Sequence, residues 1–148
     1  EIASCLVGSE MCIRDREDGS GNLGTIYYPI SVFIMALVTY FVPEFYGAFG
    51  VGLFCMAFGD GFAPLVAGYL KSRQIYNHKT VSGTATVFAF SLVIIIIFNY
   101  YFKFGFNVID MILISVVSAA LELFDRKGLD NLFLPLGVSL VVYLMEVI

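Results

Sequence analysis

From Thr84 to Phe102 the chain carries no charged residue, and four successive isoleucines, Ile94 to Ile97, lie inside that run. An apolar segment of this length is close to what crosses the hydrocarbon core of a bilayer. The rest of the chain is of the same kind: 59% of its 148 residues are hydrophobic, 14% are charged, and mean hydropathy is +0.90. A soluble domain of this size needs more polar surface than that. The composition therefore points to an integral membrane protein. Its spans must be helices, because lipid offers no partner to a free backbone N–H or C=O. The net charge of −4 shows no basic excess, which argues against a nucleic-acid binder.

About five spans are expected: Ile26 to Val42, Tyr46 to Leu70, Thr84 to Phe102, Phe106 to Phe124 and Leu132 to Ile148. The fold class is thus an all-α polytopic transmembrane bundle. The second span is expected to be interrupted at Gly59-Asp60-Gly61, with Pro64 kinking the following turn. Tryptophan is absent, so the interfacial belt falls to Tyr27, Tyr28, Tyr46, Tyr100 and Tyr101. Lys71, Arg73 and Lys79 occupy one connection, and Arg126 and Lys127 another. Excess Lys and Arg marks the cytoplasmic side. GNLGT, the KSR…HKT loop and DRKGLDN then all face the cytoplasm.

The N-terminus reads differently. CLVGSEMCIRDR, Cys5 to Arg16, has no hydrophobic period, and its back-translation resembles a common transposon-type sequencing adapter in frame. Residues 1–16 are therefore set aside as non-native. Residues 17–148 are taken as one membrane domain, expected to be an N-terminally truncated fragment. Setting aside Cys5 and Cys12 leaves Cys55, expected as a small buried hydrophobe. No disulfide or metal-type cysteine pattern exists.

Three polar clusters gather at the cytoplasmic ends. Asp60 lies ten residues before Leu70, roughly 15 Å into a continuous helix. An ionisable residue at that depth is costly and usually functional. It is expected to hold a metal or to take a proton, with Gly61 letting a ligand approach closely. The following segment, with Lys71, Arg73, Lys79, Thr80, Ser82, Gly83 and Thr84, combines basic side chains with a hydroxyl- and glycine-containing helix start. Phosphate suits such a start, because free N–H groups and the helix dipole point at it. Ser82 is alternatively a plain N-cap, and His78 a solvated loop residue. The third cluster, Glu122 with Asp130 and Asn131, offers the hard oxygen ligands that Mg²⁺ uses beside substrate phosphates; Asp130 or Asn131 is alternatively a cap of the fifth helix. Together the clusters fit phosphoryl transfer from a nucleotide to a membrane lipid, which needs mainly positioning and charge neutralisation.

The segments GTIYYPIS, GDGFAPLVAG, HKTVSGT and ELFDRKGLDNLFLPL, in this order, resemble the polyprenol kinase family of dolichol, phytol and CTP-dependent diacylglycerol kinases. The resemblance covers about residues 24 to 140. It implies a polytopic enzyme that phosphorylates a lipid alcohol, with CTP as donor. Carried over by position, it implicates Asp60, Gly61 and Gly68; Lys79, Gly83 and Thr84; Glu122, Asp130, Asn131 and Pro135; and Gly24, Thr25 and Pro29. Ser82 stands where the pattern often has Glu, and Phe133 where it often has Thr. Phosphatidate cytidylyltransferase is the runner-up, since it shares the acid followed by a K-T…G segment, but its C-terminal signature is missing. A transporter would show repeats with broken helices in both halves; the sequence shows one interrupted helix and no internal repeat.

Overall fold

The computed structural model describes residues 23–70, 74–76, 79–124 and 129–147. The adapter-like segment, Lys71, Arg73, His78, Arg126 and Lys127 lie outside the described residues. Helix α1 spans Leu23–Phe41. A turn at 42–44 leads into α2, Phe45–Phe54, a π-helical segment, Cys55–Asp60, and α3, Gly61–Leu70. Strands β1, Gln74–Tyr76, and β2, Lys79–Thr80, pair antiparallel. They are followed by α4, Val81–Phe102, α5, Val108–Phe124, and α6, Asp130–Val147. The all-α expectation holds apart from this short strand pair, which occupies the basic segment read as loop.

Of the five expected spans, two are helices long and apolar enough to cross a membrane: Phe45–Leu70, with 26 residues, and Val81–Phe102, with 22. The other apolar stretches are shorter. The expected interruption at Gly59-Asp60-Gly61 is not a break. Gly61 has ordinary right-handed torsions, φ −63° and ψ −39°, and the chain runs through as one rod. What departs from α-geometry is the π segment, a feature often found at functional sites.

The rods pack antiparallel. Gly59 of the π segment faces Val87 of α4. Ser91 and Ser118 share a buried 2.7 Å hydrogen bond between α4 and α5. Phe45 meets Tyr143 edge-on between α2 and α6. The ends carrying Leu70, Val81, Phe124 and Asp130 therefore lie at one end of the bundle. The opposite end is closed at Asn99, whose side chain bonds both the N–H and the carbonyl of Phe106, and at Lys103, which takes a left-handed φ of 56°.

Small hydroxyl residues share the interior with an apolar core that includes Met35, Ile95, Ile114 and Leu134. Ser31, Ser91, Ser115, Ser118 and Ser139 are buried, while Phe33, Tyr69, Tyr100 and Ile109 lie open. Lipid-bathed helices associate in this way, through small residues and interhelical hydrogen bonds, because apolar side chains gain nothing by hiding from lipid. Cys55 is fully buried, as expected. Gly52 carries the tightest of these contacts: a Cβ there would collide with Ser139 Oγ and the Pro135 carbonyl. Gly52→Ala is expected to destabilise the protein by about 1–3 kcal/mol through overpacking, read as a lower thermal midpoint in detergent.

Candidate functional site

The start of α4 is the best-defined part of the site. Thr80 is the N-cap, in extended conformation, and its hydroxyl accepts a 3.1 Å bond from the Gly83 N–H. The cap is thus Thr80, not Ser82. The reason is local: strand pairing holds Thr80 in the extended conformation that a cap requires, and Ser82 already lies inside the helix. The Gly83 donor goes to this cap instead of being offered to a phosphate. Gly83 has a packing reason too, since a Cβ would press on Thr80 Oγ1 at 3.1 Å and touch Ala63.

The Ala63–Gly83 approach locates Asp60. Asp60 closes the π segment three residues before Ala63, about one helical turn. Its backbone therefore lies about one turn from the start of α4. Its side chain lies outside the described ones. Pro64 lacks an N–H and so cannot give the Asp60 carbonyl the donor that an α-helix supplies four residues on.

On the other side of α4, Thr84 donates to Glu122 Oε2 at 3.3 Å. Glu122 is 2% exposed, and a carboxyl so placed is kept only when its oxygens are engaged. The pairing joins two residues that the sequence assigned to different clusters. Asp130 and Asn131 open α6 at this same end. Lys79 begins β2 with its backbone in register with Tyr76. Among the described residues no group of three or more His, Cys, Asp or Glu side chains stands together; the side chains of Asp60 and Asp130 are not among them. The donors proposed for Mg²⁺ are all carboxylate or amide oxygens, a set that fits a hard cation.

Gly61 and Gly68 differ from the packing glycines. Among the described residues nothing lies within 4 Å of where a Cβ would stand on either. They are seven residues apart on α3, two turns, and so share one face. If packing alone governed them, alanine would be better by about 1 kcal/mol each in helix propensity. Gly61→Ala is therefore expected to leave the thermal midpoint unchanged or raised while lowering turnover at least tenfold, a separation that Gly52→Ala cannot give.

With the geometry in place, comparison with known proteins gives one clear relative. A phytol kinase from Synechocystis sp. is 34% identical over 134 residues, covering 84% of this chain and 55% of the relative. Its name is in line with the resemblance that the four motifs carry. The chain spans about half the length of that relative. No family model matches the chain, and no solved structure matches it.

Proposed function

We propose that this chain provides the site of a membrane lipid-alcohol kinase that transfers the terminal phosphate of a nucleotide, CTP by family resemblance, to a prenyl alcohol of the phytol class. The observation that carries the reading is the similarity to a phytol kinase over 84% of the chain. It is supported by the convergence of Asp60, the capped start of α4 and the Thr84–Glu122 pair at one end of the bundle. In this reading all five helical rods, with α2 and α3 as one, span the membrane, and the site faces the cytoplasm on the strength of the Lys and Arg sidedness.

The chemistry is a displacement at phosphorus. The lipid hydroxyl oxygen forms a bond to the γ-phosphorus, the bond from that phosphorus to the β–γ bridging oxygen breaks, and the nucleoside diphosphate leaves. Asp60 takes the hydroxyl proton or shares in holding the metal. Lys79, with Lys71 and Arg73, offsets phosphate charge, and Thr80, Ser82, Gly83 and Thr84 form the helix start beside it. Gly61 and Gly68 leave one face of α3 open to the substrate. Mg²⁺, held by Asp60, Glu122, Asp130 and Asn131, would neutralise charge on the transferring group when bound.

The test is a competition assay on membranes carrying the complete protein, with CTP or ATP and a panel of phytol, a long polyprenol, diacylglycerol and phosphatidate. The reading expects the phosphate ester of a prenyl alcohol. Conversion of phosphatidate to CDP-diacylglycerol with release of pyrophosphate would show a cytidylyltransferase instead.

A further inference from the structure

We propose that Ser91 and Ser118 are positioning residues for the Glu122 carboxylate: their buried hydrogen bond sets the register of α4 against α5 that brings Thr84 and Glu122 together. This rests on the lipid-alcohol kinase reading and adds to it the part of the interior that holds the acid in place. Both serines are fully buried, and their hydroxyl oxygens stand 2.7 Å apart. The same two helices meet again where Thr84 donates to Glu122 Oε2 at 3.3 Å. Thr84 is seven residues from Ser91, about two turns, and Glu122 is four from Ser118, about one turn. The two contacts therefore lie on one seam, the serine pair deeper in the bundle.

Their lengths decide which contact governs the other. A hydroxyl donor sits at about 2.7–2.8 Å from its acceptor at best, and a bond beyond about 3.0 Å is long for this type. The serine pair is at the optimum. The Thr84–Glu122 bond is not, so it follows the register that the helices already have. Between and below the two contacts the seam is lined by buried aliphatic side chains, Val87, Ile94, Ile95 and Ile114. In lipid such side chains feel no hydrophobic pull toward one another, and their dispersion contacts change little over a small slide. A hydrogen bond weakens steeply when its line is broken. The serine pair is thus the element of the seam that resists sliding and rotation.

Ser91 also reaches the other side of the site. It shares a side-chain hydrogen bond with Cys55, which is fully buried and opens the π segment. One turn nearer the site, Gly59 of that segment packs on Val87. The segment ends at Asp60. The rod that carries Asp60 and the helix that carries Glu122 are therefore both tied to α4 at Ser91. Two acids that must act on one transferring group need such a common reference, since a displacement of about 1 Å in a reacting site costs up to about a hundredfold in rate.

The experiment is a pair of double-mutant cycles on the complete protein, one read in turnover in membranes and one in the thermal midpoint in detergent. Ser118→Ala is expected to lower kcat about tenfold and to raise the Mg²⁺ concentration for half-maximal rate, with KM for the alcohol unchanged. In a Glu122→Gln background the same change is expected to lower turnover by less than about twofold, because the carboxylate it positions is already gone. In the thermal cycle, the fall in midpoint caused by Glu122→Ala is expected to shrink by about half or more when Ser118→Ala is present. Strictly additive falls overturn the proposal. So does a Ser118→Ala protein that melts earlier but keeps its rate and its Mg²⁺ requirement, since the serines would then only bind helices together. The thermal cycle needs no turnover, so it decides the register role even if the complete protein phosphorylates no alcohol, a result that would count against the kinase reading alone.

Discussion

Asp60→Asn is expected to abolish lipid phosphorylation by the complete protein, lowering turnover about a thousandfold or more, while the thermal midpoint in detergent stays within a few degrees. The size of the effect follows from either role assigned to Asp60. A positioned base contributes about 10²–10⁴ in rate, and an anionic ligand lost from a metal that neutralises phosphate charge weakens the largest stabilising interaction available to phosphoryl transfer. The amide has the size of the carboxylate, so the helix loses no packing. The π segment ends at this residue, and the neighbouring Gly61 is unconstrained by packing among the described residues. A variant that unfolds would point to Asp60 as a structural acid; one that folds and turns over normally would remove it from the site.

Glu122 gives the second large effect, and here two substitutions separate structure from chemistry. Glu122→Gln keeps the volume and an oxygen to accept from Thr84, but loses the charge. Turnover is expected to fall about a hundredfold or more, with a raised Mg²⁺ requirement, while folding is retained. Glu122→Ala removes the acceptor at 3.3 Å and leaves a void beside a residue that is 2% exposed. It is expected to cost about 2–4 kcal/mol of stability in addition to the activity. If Glu122 only ties α4 to α5, the Gln variant keeps its activity and its Mg²⁺ response, and the metal role fails.

Much of the fold was legible because lipid limits the options. Apolar runs bounded by charged or proline-containing turns gave five helical rods, α2 and α3 forming one, whose ends agree with the structure to within a few residues, but among the described residues only two of them are long and apolar enough to cross a membrane. What was missed lay in local geometry. Glycines around Asp60 suggested a break, but here one glycine serves close packing and the other stands open, and the departure from α-geometry is a π segment. Ser82 looked like the cap because hydroxyl residues cap helices; Thr80 takes the role because β-pairing extends it. The Thr84–Glu122 contact joins residues 38 apart in sequence, and no periodicity links them.

The most direct test of the central claim follows the two ends of the nucleotide in one reaction. The complete protein in membranes is given phytol, Mg²⁺ and CTP labelled separately at the α- and γ-phosphates. The account predicts that γ-label appears in the lipid phosphate while α-label stays in soluble CDP, both lost in Asp60→Asn. Label from the α-phosphate entering the lipid, or no transfer of either, would contradict it.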